Sequence, residues 1–205
     1  MSAPAASFFR HGGNALLAGA VVVLSTLFAS GVLAFGPRAL AALAAGALLF
    51  FGSEYTTHRF LFHAKPSSNA FVLRLQHRLH YDHHARPNEL GLLFLPMWFV
   101  IPVAASTFGI CFALVHDAAL AAALLLGSLA AMTYYEWVHF VAHVPFVPRT
   151  ALGRYVKKYH LWHHYKNERL WFGVTNPGMD FAGFTYRRVE DVERSPNVRL
   201  LFPDA

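Results

Sequence analysis

From Asn14 to Gly36 the chain reads NALLAGAVVVLSTLFASGVLAFG without a charge, and a run of about 20 apolar residues is what spans roughly 30 Å of hydrocarbon. A segment of that kind in lipid has to satisfy its own backbone, which makes it a helix. Three more such runs follow. ALAALAAGALLFFGS after Pro37-Arg38 leads into Glu54, and its helix has room to continue to about Phe62 before Lys65-Pro66 stops it. LLFLPMWFVIPVAASTFGICFALV, from Leu92 to Val115, is uncharged, and its two prolines are tolerable in lipid. AALAAALLLGSLAAMTYY starts at Ala118 and runs up to Glu136. The expectation is an all-α integral membrane protein with four transmembrane helices in two antiparallel hairpins. The hairpins turn over at Phe35 to Arg38 and at His116-Asp117. A single domain over 1–205 is expected, with a first hairpin at about 14–62, a polar His-rich region at 63–91, a second hairpin at 92–140 and a second His-rich region with the tail at 141–205.

Charge sets the orientation. Ten Lys and Arg residues fall between Arg149 and Arg199 and five between Arg59 and Arg86, against Arg38 alone in the two short connections. The excess marks the cytoplasmic side, so both termini and the polar regions are expected there. That asymmetry also accounts for the net charge of +6, and no basic stripe interleaved with aromatics points to nucleic acid. The first apolar run is too long, and Ser2 to Phe9 too weakly charged, for a cleaved signal peptide. Cys111 is the single cysteine, which excludes an intrachain disulfide and a thiolate metal site.

The polar regions hold the unusual chemistry. Eleven of the thirteen histidines fall in four groups: His58 and His63; His77, His80, His83 and His84; His139 and His143; His160, His163 and His164. Spaced pair, then His-x-x-His-His, occurs twice, each time after an apolar hairpin. At 3.6 residues per turn, His80/His84, His139/His143 and His160/His164 share a helix face, with His83 and His163 flanking. His58 and His63 are five apart, about 140° on an ideal helix, and share a target only if the helix unwinds near His63.

A lone histidine is usually a core residue bonded to a carbonyl, and His11 and His116 are read that way. Eleven in four spaced groups are not, because buried imidazoles cost several kcal/mol of desolvation unless paired, and a metal ion pairs many at once. Imidazole suits Zn, Cu, Fe and Ni, and one ion takes at most six ligands, so ten or more candidates imply two ions. Structural zinc is disfavoured by the lack of thiolates, and the two-His-one-carboxylate triad by the lack of an obligatory carboxylate. Glu54, Asp82, Glu136 and Asp180 lie near the groups in sequence. They are candidate acceptors that fix imidazole tautomers, or simply helix-end carboxylates. A transporter would place its ionisable groups near the bilayer midplane, whereas these groups stand at the ends of the apolar runs.

The order His-x4-His, His-x-x-His-His, His-x3-His, His-x-x-His-His resembles the fatty acid hydroxylase superfamily of membrane di-iron enzymes. The flanks EYTTHRFLFH, HYDHHARPNELGLLFLP, YYEWVHFVAH and KKYHLWHHYKNERLWFGVTNPGMDFAGFT are closest to the fatty acid 2-hydroxylases that act on sphingolipid acyl chains. The resemblance runs from about Leu40 to Thr185. It implies that His58, His63, His80, His83, His84, His139, His143, His160, His163 and His164 are the metal ligands, with His77 as a possible additional one. It implies two iron ions, with zinc able to occupy the site in a recombinant preparation. The implied reaction is O2-dependent hydroxylation of a lipid acyl chain at C2.

Two departures matter. The cytochrome b5 domain of the eukaryotic members has no counterpart in Met1 to Gly13, so a separate cytochrome b5-like or ferredoxin-like electron donor is expected. Met179 replaces a tryptophan usual before Asp180, which bears on the acyl pocket. Carotenoid ring hydroxylation, and sterol oxidation or desaturation, use the same histidines and stay open as alternatives, with a non-catalytic metal-binding membrane protein more remote. Lys157, Lys158 and Lys166 are candidates for holding an anionic headgroup or an acidic donor, or simply follow the positive-inside rule; Trp162, Tyr165, Trp171 and Phe172 are candidates for lining a substrate entrance, or anchor the chain at the interface.

Overall fold

Apolar runs become helices and their punctuation becomes turns. The structure, a computed structural model, describes residues 3–202, and every regular element among the described residues is helical. In chain order these are α1 (Ala3–Arg10), α2 (Gly12–Ala29), α3 (Pro37–Thr57), α4 (Ala70–Gln76), α5 (Asp82–Ala85), α6 (Leu90–Leu93), α7 (Met97–Val115), α8 (Ala118–His143), α9 (Ala151–Tyr165) and α10 (Gly178–Ala182). π turns lie at His58–Phe62 and His77–Tyr81, and a 3-10 turn at Val189–Asp191.

Four stretches are long and apolar enough to cross a membrane: Gly12–Ala29, Pro37–Phe62, Leu90–Val115 and Ala118–His143. They coincide with the four expected runs, with two differences. α2 stops at Ala29, short of its uncharged run, because Gly31 takes φ 77 two residues later, the left-handed conformation that ends many helices. The third run is interrupted between α6 and α7, where Pro96 stands as the N-cap of α7. α1 was not expected from the sequence. Its Phe8 is buried, and the Phe8 carbonyl accepts the Asn14 side-chain amide at 3.2 Å.

The chain forms two compact units, each drawn from two separated stretches. One comprises the chain up to Phe51 together with Leu95 to Glu136. Its centre is the crossing of α3 and α8. A Cβ added at Gly46 would lie 2.0 Å from the Leu124 carbonyl oxygen, and one at Gly127 would lie 1.9 Å from that of Leu43. The two backbones touch through glycine, as close helix pairs in lipid do, and Ser128 Oγ adds a bond to the Gly46 carbonyl at 3.1 Å. Phe28, Ala122, Ala123 and Leu126 form one apolar cluster, and Leu17, Val100, Leu129 and Met132 another. α7 and α8 are joined through His116, left-handed at φ 50, and Asp117, whose carboxylate accepts from the Ala119 and Leu120 amides at 2.9 and 3.1 Å. That carboxylate is an N-cap, and His116 is an exposed turn residue, not the carbonyl-bonded core residue that its isolation in the sequence suggested.

The other unit comprises Gly52 to Phe94 and the chain from Trp137 onward. All ten candidate ligands belong to it. Asn69 caps α4 and Thr150 caps α9 through side-chain oxygens. α9 is fastened to the end of α8 by Lys157, whose ammonium donates to the carbonyls of Val141, Val144 and Phe146 at 2.9, 2.7 and 2.9 Å. The Val141 carbonyl is one that a helix C-terminus leaves unpaired, and the other two lie in the loop just beyond α8. Lys157 therefore has no donor left for a headgroup, which removes that one of its two sequence-based readings.

Candidate metal centre

The first histidine pair explains the first π turn. His63 N–H bonds the His58 carbonyl at 3.1 Å, five residues back. Widening the turn by one residue brings His58 and His63 onto one side, where an α-helical turn would leave them about 140° apart. The helix thus widens where unwinding was expected. His139 and His143, four apart, need no such adjustment and stay within α8. The second π turn closes through Asp82 N–H onto the His77 carbonyl and leads directly into His83 and His84.

The ten histidines assemble into two groups of five. His58, His63, His80, His84 and His163 form the first, and His83, His139, His143, His160 and His164 the second; within each, one nitrogen per ring lies within 4.8 Å of all the others. Each His-x-x-His-His motif is therefore divided. Its first and last members serve one group and its middle member the other. The groups share a wall, since the His84 and His164 rings stack at 4.2 Å. All are buried except His63, which is half-buried.

Tautomers show what the first group can hold. His58 Nδ1 faces the Phe172 carbonyl at 2.6 Å, His163 Nδ1 the Leu170 carbonyl at 2.8 Å and His84 Nδ1 the Val198 carbonyl at 3.3 Å. A carbonyl only accepts, so each Nδ1 carries the proton and each neutral ring turns a bare Nε2 inward. His163 Nε2 and His84 Nε2 then meet at 3.2 Å with no proton between them. Burial first, and then the neighbouring imidazoles, hold both rings well below the ordinary histidine pKa, which keeps them neutral. Two lone pairs at that distance repel unless a cation lies between them. His63 Nε2 completes the convergence at 2.9 Å from His80 and 3.1 Å from His163.

The second group converges likewise, with Nε2 contacts of 3.1 Å for His83/His139 and 3.0 Å for His143/His160. His164 is fully buried, and neither of its nitrogens has a hydrogen-bond partner among the described residues, a costly arrangement that a bound cation relieves. Both groups fit a metal ion held by imidazole alone.

The carboxylates act one step further out. Asp180 accepts from the Phe172 and Gly173 amides at 2.8 and 2.7 Å and from Thr185 Oγ1 at 2.7 Å. Glu54 accepts from the Val174 and Thr175 amides at 2.7 and 2.9 Å and from Thr175 Oγ1 at 2.5 Å. Neither bonds an imidazole. They clamp the strap Leu170 to Thr175, whose carbonyls orient His163 and His58. Asp82 pairs with His77 Nδ1 at 2.9 Å on the surface, and His77 belongs to neither group. Glu136 lies in the other unit, where its Oε1 accepts from the Leu95 amide at 3.1 Å and its Oε2 is buried without a partner among the described residues. Of the four, only Asp82 meets an imidazole, that of His77 outside both groups, while Glu54 and Asp180 act on the strap and Glu136 on the Leu95 amide. The carbonyls of Leu170, Phe172 and Val198 escaped the sequence reading, since main-chain acceptors leave no residue signature. Phe172 does border the site, its ring 5.1 to 5.6 Å from His58, His63 and His163. Trp171 does not line an entrance. It is fully buried, and its Nε1 donates to the Arg187 carbonyl at 2.9 Å.

Comparison with known proteins agrees with this geometry. The family model described as fatty acid hydroxylase matches residues 43–185, and the chain belongs to that family. Within it, the chain is 38% identical over 137 residues to the ceramide very long chain fatty acid hydroxylase of Saccharomyces cerevisiae, covering 65% of this chain and 34% of that one. It is 29% identical over 145 residues to the fatty acid 2-hydroxylase of Homo sapiens, covering 68% and 38%. The chain thus spans about a third of the length of these relatives. The solved structure of full-length scs7p, in which only the hydroxylase domain is visible, superposes with a TM-score of 0.73 at 28% identity, covering 88% of this chain and 65% of that one. Four apolar helices and membership in this family make the chain an integral membrane protein.

Proposed function

We propose that this chain is an O2-dependent hydroxylase of lipid acyl chains, acting at C2 of a fatty acid or of the acyl chain of a sphingolipid. The observation that carries this reading is the pair of five-imidazole groups with converging Nε2 atoms. The relatives named above, which hydroxylate fatty acids or ceramide acyl chains, supply the substrate class.

His58, His63, His80, His84 and His163 hold one iron, and His83, His139, His143, His160 and His164 the other. Two irons in such ligands supply, with O2 and two electrons, the oxidising power to hydroxylate an unactivated C–H bond. The remaining contributions come from the chain. The strap fixes His58 and His163, as outer partners of metal ligands do. Phe172, buried against three imidazoles, excludes water from one side of the first group. The electrons come from a separate donor of the cytochrome b5 or ferredoxin type, and the metal centre and both termini face the cytoplasm, as the distribution of basic residues indicates.

The test is mass spectrometry of lipids from cells expressing the wild type or His163→Ala. A 2-hydroxy acyl species made only by the wild type is the expected result. Hydroxylated carotenoid or sterol in its place, after those lipids are fed, would redirect the substrate assignment.

A further inference from the structure

Phe184 is the most exposed large apolar residue among the described residues at 81%, and it holds a left-handed backbone at φ 58. Bulky residues avoid that conformation. Glycine would accept it, and Gly183 is next to it, yet Gly183 is committed elsewhere: a Cβ there would fall 1.9 Å from Tyr55 Oη. The aromatic therefore takes the costly geometry and is thrown outward.

The loop that carries it is rigid. Thr185 N–H and Tyr186 N–H both bond the Asp180 carbonyl, at 2.9 and 3.1 Å, and the Phe181 and Tyr186 rings stack at 4.0 Å. Phe181 is itself 56% exposed. Arg59 ties the loop to the last turn of the membrane-length stretch Pro37–Phe62, donating to the Gly183 carbonyl at 2.8 Å and to Tyr55 Oη at 2.6 Å. The same guanidinium lies 4.9 Å over the ring of Phe60, which is 64% exposed. Phe60, Phe181 and Phe184 are thus three outward aromatics at the end of a spanning helix, with Arg59 lying over the Phe60 ring and bonding the backbone between Phe181 and Phe184 at Gly183. Arg187 and Arg188 follow, both exposed. Aromatics with basic residues beside them are what a membrane interface selects.

We propose that Phe181 and Phe184 form a lip seated in the interfacial layer of the bilayer, with Arg59 and Arg187 at the level of the lipid phosphates and the Arg188–Glu190 ion pair (3.7 Å) beyond it in water. The occupant is lipid because the patch is continuous with Phe60, on a helix that spans the membrane. Through Tyr55, whose ring is 6.2 Å from that of Phe172, the lip stands two side chains from the first imidazole group. The proposal does not depend on which lipid is oxidised or on which carbon.

The test is depth measurement by spin labelling. Phe184→Cys, made with Cys111→Ser, is labelled with a nitroxide and reconstituted into phosphatidylcholine and phosphatidylglycerol vesicles. The collision ratio of O2 to a water-soluble nickel chelate is then compared with that of Ile110→Cys on α7, a lipid-facing reference, and of Glu190→Cys, an aqueous one. The expected ratio is severalfold above the Glu190 value and closer to that of Ile110. A ratio equal to that of Glu190 overturns the proposal, and so does exclusion of both colliders, which would mean protein covers the loop. Phe181→Cys is labelled in parallel, so that a folding defect at 184, seen as aggregation on gel filtration, still leaves a reporter on the lip.

Discussion

His163 stands beside His164 in sequence and serves the other group. On α9, His160 and His164 lie about 40° apart, while His163 is about 100° from His164, so one helix presents donors to two ions. Removing either neighbour should therefore empty a different group. His163→Ala and His164→Ala are each expected to lower the metal content of the purified protein from two ions per chain to about one and to abolish hydroxylation. Elemental analysis with lipid mass spectrometry checks both, and two ions retained in His163→Ala would remove that residue from the donor set. His77 is a contrast. Its ring is 44% exposed and paired with Asp82, and a surface pair of this kind is worth roughly 0–1 kcal/mol. His77→Ala should keep both ions and near wild-type activity; loss of an ion would make it a ligand. The internal recurrence agrees, since the position matching His77, three before His160, is Lys157.

Among the elements, the strap from Leu170 to Thr175 and the α3/α8 crossing show two ways in which short-range geometry dictates the sequence. The strap presents amides to Asp180 and Glu54 and carbonyls to His58 and His163. In Asp180→Asn, an amide group turns a donor toward the Phe172 or Gly173 N–H. Leaving a buried donor unpaired costs about 1–3 kcal/mol, and loss of an outer partner weakens metal binding about 10–100-fold. Competition with a chelator should then show one ion released about 10–100-fold more readily than in the wild type, with the second unchanged; equal weakening of both would show that the strap does not act on one group alone. At the crossing, Gly127→Ala drives a methyl against the Leu43 carbonyl, and overpacking of this kind costs about 1–3 kcal/mol. The expected outcome is a lower melting temperature in detergent with metal stoichiometry unchanged. An unaltered melting temperature would mean that the helices separate there without cost.

At the scale of the whole molecule, what could be read from the sequence is what local pattern controls. Apolar length marked all four spans, and spacing marked four groups of eleven histidines, from which the family resemblance, not the spacing, selected ten. The division of each His-x-x-His-His between two groups depends on which helices pack together, and the carbonyl acceptors at Leu170, Phe172 and Val198 on where loops fold back; neither leaves a mark in residue type. The recurrence goes deeper than the histidines. Leu43, Gly46, His58, His63, His80, His83 and His84 return in that order as Leu124, Gly127, His139, His143, His160, His163 and His164. The one residue by which the first histidine pair is longer is absorbed by the π turn. Two similar halves that each begin with a hairpin place their polar ends on the same side, and fifteen of the basic residues lie in those polar stretches. The positive-inside rule then predicts the cytoplasmic side for them. Cysteines introduced by His116→Cys and Glu190→Cys, each with Cys111→Ser, should react oppositely with a membrane-impermeant maleimide applied to intact cells. Residue 116 is expected to be labelled from outside and residue 190 only after the membrane is opened. Labelling of 190 from outside would invert the topology and place the metal centre, and the donor that serves it, on the other face of the membrane.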